Sequence, residues 1–303
     1  MSFSSKMKED LSKISNLNNK ELVKYELIGY LISNNTVCDK KNIFYSTVNE
    51  YNINRFSKLI SNLNILDFKI EVKGKTFKII LPRIENIEEI TYKENDIELS
   101  SEYQKFLERI DKMNEQEEQA IKSLIRGVFL GSGSVNNPEN KYHLEIILST
   151  ESNATCIASV LKKMSINMKE LKRKNGYSLY IKDGEEISKF LAFIGANSAV
   201  LKFEEIRVIR DVKNNVNRKV NCETANLNKT VQAAVRQIEI IKKIQNEGKF
   251  DNMPDTLKEI ATLRLENPDA SLIELGQMLK DPIGKSGVNH RLKQIEMWQQ
   301  DKD

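Results

Sequence analysis

Along the first two thirds of the chain, apolar and polar positions run through one order twice. Leu27-Ile-Gly-Tyr-Leu-Ile-Ser-Asn-Asn35 ends one amphipathic helix and Ile125-Arg-Gly-Val-Phe-Leu-Gly-Ser-Gly133 ends another, their central glycines 98 residues apart. After the first, the spacing predicts a strand over 43–48, a helix over 54–63 and a hairpin with arms 68–72 and 76–81. After the second come a strand over 142–148, a helix over 152–164 and a hairpin with arms 168–172 and 177–182. Asn175-Gly176 is a strong hairpin-turn signal, and Gly74 meets the same need in the first copy. One unit, α-β-α-β-β, therefore occurs twice in register. A glycine inside a helix costs about 0.5–1 kcal/mol against alanine, and close approach of two helix backbones repays it. Helices packed through Gly29 and Gly127 would form the seam of a pseudo-dimer, with a sheet from each half beside it.

The last third reads as all helical. Val231, Ala234, Val235, Ile238, Ile241 and Ile244 predict a helix over 226–245, stopped by Gly248. Pro254 opens another to about 265, and Pro268 ends that region. Ser271-Leu-Ile-Glu274 is a capping box and opens a third helix to about 279. Pro282 and Gly284 make a turn before a final helix over 285–298. Leu272, Leu275 and Leu279 share one face, as do Val288, Leu292 and Ile295, which makes the last two helices a helix-turn-helix. Away from that core stand Lys285, Ser286, Asn289, His290 and Lys293, with Arg291 at its margin. These types reach phosphates and base edges, and the start of the second helix is the part that enters the major groove. No acid interrupts them between Lys285 and Ile295. A plain helical hairpin with a solvated face is the competing account, and the density of donors weighs against it.

Charge sharpens this picture. Residues 207–243 hold nine basic residues against three acids, a surplus exceeding the net +4 of the 303-residue chain. Arg218, Lys219, Lys229 and Arg236 there are candidate phosphate contacts. Residues 214–229, dense in asparagine, read as a capped turn between domains or as a phosphate-touching connector. Residues 85–118 are acid-rich and read as a polar insertion followed by a helix start. The hairpin lysines (Lys69, Lys73, Lys75, Lys78; Lys169, Lys172, Lys174, with Arg173) suit a DNA saddle or a solvated strand face equally.

Other chemistry is sparse. Cys38, Cys156 and Cys222 fit neither a disulfide framework nor a zinc spacing, and Cys222 reads as a buried thiol. His143 and Glu145 share a strand face but lack further ligands, so no metal and no cofactor are expected. Trp298, the single tryptophan, reads as a packing residue. The run 190–203 falls short of a membrane span, and the amino terminus has no apolar core of a signal peptide. A reducing cytoplasm is the expected home, with no membrane partner.

The two motif helices resemble the LAGLIDADG homing-endonuclease signature, in which each helix ends in an acid that binds the catalytic metal. The equivalent positions are Asn34 and Ser132, followed by Asn35 and Gly133, and none is acidic. The resemblance thus implies the fold without catalytic residues. Nearly the whole chain also resembles the WhiA family. The matching strings are Arg126-Gly-Val-Phe-Leu-Gly-Ser-Gly-Ser-Val135, Tyr142-His-Leu-Glu145, Arg218-Lys-Val-Asn-Cys-Glu-Thr-Ala-Asn-Leu-Asn-Lys229, Ala261-Thr-Leu-Arg-Leu-Glu-Asn-Pro268 and Lys285-Ser-Gly-Val-Asn-His-Arg-Leu292.

That resemblance implies an α+β domain, a duplicated LAGLIDADG-like pseudo-dimer, followed by an all-α helix-turn-helix domain similar to sigma-factor region 4. The boundaries read as 1–205 for the first domain, with repeats at about 18–82 and 115–195. A basic connector takes 206–225, and the helix-turn-helix domain takes 226–303, its motif at about 271–298. It further implies a non-enzymatic regulator of double-stranded DNA, tied to cell division, chromosome segregation and, where relevant, sporulation. Transcription machinery or cell-division proteins are the partners it suggests. A metal-dependent nuclease with displaced ligands and an interaction scaffold in cell division are the alternatives.

Overall fold

The duplicated order of elements becomes two four-stranded antiparallel sheets of matching topology. The computed structural model describes residues 2–109 and 114–300, with side chains described through Trp298. After α1 (Phe3–Ser12), the first copy runs α2 (Lys20–Leu31), β1 (Thr36–Cys38), β2 (Asn42–Thr47), α3 (Glu50–Asn62), β3 (Lys69–Lys73) and β4 (Thr76–Pro82). A hairpin, β5 (Ile90–Lys93) and β6 (Asp96–Leu99), and α4 (Ser101–Arg109) follow. The second copy runs α5 (Glu115–Ser132), β7 (Ser134–Val135), β8 (Leu144–Leu148), α6 (Glu151–Lys163), β9 (Lys169–Arg173) and β10 (Gly176–Ile181), then α7 (Gly184–Phe193). The sheet orders are β1-β2-β4-β3 and β7-β8-β10-β9, position for position the same. Gly74 and Gly176 turn the two hairpins at φ +61° and +115°, where a side chain is strained.

Each copy carries one strand more than the expected α-β-α-β-β: the short β1 and β7 pair with β2 and β8. The acid-rich insertion also differs from expectation. Its β5–β6 hairpin buries Ile90, Ile97 and Leu99, and Asn95 accepts a hydrogen bond from the Cys38 backbone N–H at 2.9 Å.

The seam forms as the glycines require. A Cβ on Gly127 would lie 2.0 Å from the Glu26 carbonyl oxygen, and one on Gly29 would lie 2.2 Å from that of Leu124. Only glycine lets α2 and α5 cross this closely. Between the sheets α2 is enclosed on nearly all sides, with Val23, Leu27, Ile28, Tyr30 and Leu31 buried.

The chain divides into two compact units, one ending at Asp211 and the other beginning at Val212. α8 (Asn197–Asn246) leads from the first to the second. Residues 214–229 are thus helical, not a capped turn. Val212, Val216, Val220, Leu227 and Val231 keep close to a helical period through the asparagines. Cys222 is exposed on this helix, which corrects its reading as a buried thiol; Cys38 and Cys156 are the buried ones. The second unit adds α9 (Asp255–Glu266), α10 (Leu272–Met278) and α11 (Lys285–Gln300) around its own core of Ile241, Ile244, Ile260, Leu275, Val288, Leu292 and Ile295. Trp298 packs on that core. Among the described residues, no helix is long and apolar enough to cross a membrane.

Candidate nucleic-acid interface

The turn from α10 to α11 is set by close backbone contact. Ser271 caps α10 through a complete capping box with Glu274. A Cβ on Gly276 would stand 2.2 Å from the Ile283 carbonyl oxygen, and the Ile283 N–H donates to the Gly276 carbonyl at 3.1 Å. Val288, Leu292 and Ile295 then point α11 inward. The opposite side carries Lys285, Ser286, Asn289, His290 and Lys293, all exposed, with Arg291 half-buried. Among the described residues, none of these six side chains takes a hydrogen bond or ion pair within the protein.

The basic residues of α8 divide. Arg218, Lys219 and Lys229 are exposed. Arg236 pairs with Glu296 of α11 at 3.0 Å, which draws it from the set of free cations. Arg207 pairs with Glu204 at 2.8 Å, and Arg210 lies over the Tyr142 ring, 4.3 Å from its centroid.

At the end of the seam, Asn34 and Ser132 meet at one acceptor. The Asn34 backbone N–H donates to the Ile147 carbonyl at 3.1 Å, and the Ser132 hydroxyl donates to the same oxygen. Asn35 Nδ2 donates to the Gly131 carbonyl at 2.6 Å. These are amides, hydroxyls and carbonyls without a carboxylate. Among the described residues, no group of three or more His, Cys, Asp and Glu side chains could hold a metal. His143 instead lies 3.8 Å from Glu145 and stacks on Tyr180, while Glu145 also takes Arg173 and Ser178. The hairpin strands β3 and β9 are exposed along their whole length.

The sequence reading did not single out five buried charged side chains, Lys8, Glu26, Arg55, Arg126 and Arg264. Glu26 on α2 is fully buried and joins the copies: Arg55 holds it at 2.7 and 2.9 Å, Asn16 at 2.9 Å, and Arg126 of the second copy at 3.5 Å. Lys8 of α1 is buried at the end of α5, where its Nζ donates to the Leu130 carbonyl at 3.1 Å. Burial alone pushes its amine down to about 7. Arg264 of α9 is 2% exposed, and its Nη1 donates to Ala270 and Pro268 carbonyls at 2.7 and 3.3 Å. The only signal for Arg126 and Arg264 was their place inside the strings that carry the family resemblance.

Comparison with known proteins joins the two units. The profile described as the WhiA LAGLIDADG-like domain matches residues 121–213, and that of the WhiA C-terminal HTH domain matches 216–298. Proteins named probable cell division protein WhiA are 50% identical in Clostridium beijerinckii over 62% of this chain and 53% identical in Heliobacterium modesticaldum over 58%. Those alignments span 60% and 55% of the relatives' own length. The protein of that name from Clostridium tetani is 38% identical over 98% of this chain and 96% of its own. The crystal structure of full-length DUF199/WhiA from Thermatoga maritima superposes with a TM-score of 0.57 at 28% identity, covering 99% of this chain and 98% of that one.

Proposed function

The chain belongs to the WhiA family, and from that premise we propose that it is a non-enzymatic, sequence-preferring DNA-binding regulator linked to cell division. The observation that carries this reading is the outer face of α11, six donor side chains without an acid among them and, among the described residues, without a hydrogen-bond or ion-pair partner. In this reading Asn289 and the flanking Lys285, Ser286, His290 and Arg291 address base edges and adjacent phosphates from the major groove. Lys293, with Arg218, Lys219 and Lys229 of α8, adds sequence-independent affinity that falls with salt. Arg236 contributes less, being held by Glu296. Double-stranded DNA in the cytoplasm, on the nucleoid, is the partner. Chromosome segregation, sporulation genes and contacts with transcription machinery or division proteins belong to the same proposal.

The absence of carboxylates at Asn34 and Ser132 supports a role without strand cleavage, because cleavage at such a seam depends on acids holding a cation. One experiment addresses both halves. Genomic DNA fragments are incubated with Mg²⁺ and either wild type or the triple variant Lys285→Ala, Asn289→Ala, Lys293→Ala. Wild type should retain a selected set uncut, and the variant should bind it about a hundredfold more weakly, three contacts at about 1 kcal/mol each. Equal retention by the variant would overturn the assignment of α11, and cut fragments would overturn the non-enzymatic reading.

A further inference from the structure

A cavity of about 260 Å³ opens where α8, α9, α10 and α11 converge. Its wall includes Lys229 and Gln237 from α8, Arg264 from α9, and Lys285 and Asn289 from α11. Among the described residues, no carboxylate lines it. Two of these side chains are deeply buried, Arg264 at 2% exposed and Gln237 at 8%. Both hold a buried polar atom without a hydrogen-bond partner, Nε of Arg264 and Oε1 of Gln237. Native interiors rarely leave such atoms unpaired; both are closed off from solvent, so a ligand in the cavity meets them once the Arg264 and Gln237 side chains turn toward it.

Arg264 sharpens the question. Its Nη1 is taken by the Pro268 and Ala270 carbonyls, which leaves the Nε–Nη2 edge, the fork that meets two oxygens of one anion side by side. No acid pairs with it among the described residues. A guanidinium cannot shed its charge to escape burial, as an amine can. Lys229 and Lys285 add two more positive charges at the exposed side of the cavity. The Gln237 amide, turned through 180° about its last bond, offers a donor in place of its acceptor. The space exceeds what one water needs.

We propose that this cavity binds a phosphate group, held by the free edge of Arg264 and by Gln237, with Lys229 and Lys285 closing over it. Since Lys285 and Asn289 form part of its wall, occupancy sets how α11 is presented to DNA; that consequence rests on the reading of α11 given above. The phosphate has two possible sources, a free phosphate-bearing solute or the backbone of the bound duplex.

The full-length chain is titrated calorimetrically with inorganic phosphate, without DNA, against chloride at matched ionic strength. For a free ligand we expect saturation at one site, weakened at least about tenfold in Arg264→Gln through loss of a charge-assisted pair. Because Arg264 also pins residues 268–270, Thr230→Glu is the second variant. Thr230 is exposed on α8 and lines the same cavity, so a carboxylate there repels the anion without disturbing the core. For the duplex as source, the free chain does not saturate. Instead, one neutral methylphosphonate within the retained duplex weakens wild type yet costs neither variant anything further. If phosphate fails to saturate and no methylphosphonate position loses its effect in the variants, the proposal is wrong. Phosphate binding by a chain that retains no DNA would leave this site standing and end the DNA reading. DNA retention that depends on α11, with both arms here negative, would do the reverse.

Discussion

Lys8 shows how much a single side chain can hold in reserve. Its amine is pushed down to about 7 by burial, against 10.5 when unfolded. A protonated Lys8 therefore costs the folded state. The cost is full below pH 7 and is relieved as pH rises toward 10.5, because over that window the unfolded chain binds a proton that the native chain does not. Wild type should gain stability from pH 7 to about 9.5, and Lys8→Met should be flatter over that range and more stable at its acid end. Urea midpoints at several pH values would measure it, and parallel curves for the two proteins would count against it. The exposed donors of α11 were legible because types and spacing coincide there. Glu26, Lys8 and Arg264 were not, since a lone charge on an amphipathic helix reads as its solvent face. Only the neighbours brought by the fold, Arg55 and Arg126 around Glu26, reveal that the charge points inward.

Elements were legible where turn chemistry and period agreed. Both hairpins follow from Gly74 and Asn175-Gly176, and the capping box placed α10 at Leu272. The β5–β6 hairpin escaped notice because Glu94, Asn95 and Asp96 at its turn, with acids beside it, hide the short alternation of Ile90, Ile97 and Leu99. The asparagines of α8 misled in the opposite sense: asparagine favours caps and turns locally, but a regular apolar stripe prevails over local preference. The seam gives the sharpest test at this scale. A Cβ on Gly127 would lie 2.0 Å from backbone that cannot rotate away, so Gly127→Ala must spread α2 from α5. We expect a loss of about 3 kcal/mol or more, at the upper end of overpacking costs. Denaturant unfolding would read it, and a neutral substitution would contradict the close crossing.

In the molecule as a whole, two separate sets of buried side chains do the work of one core. Each set is contiguous within its own unit, so each unit should unfold cooperatively by itself. Scanning calorimetry should resolve two transitions. Gly127→Ala should move one of them, and Ser271→Ala, which removes a helix cap worth about 1 kcal/mol, should move the other. One transition displaced by both substitutions would refute this division. The end of the seam carries a different consequence, one that concerns what the joint will accept. The Ile147 carbonyl is now spoken for by the Asn34 backbone and the Ser132 hydroxyl. An aspartate placed at 132 would remove a donor and set its own lone pairs against that oxygen. That single substitution would therefore meet resistance from the surroundings unless the Ile147 carbonyl found another donor. The joint is in this sense self-sealing: the contacts that close it are the ones an acid would undo.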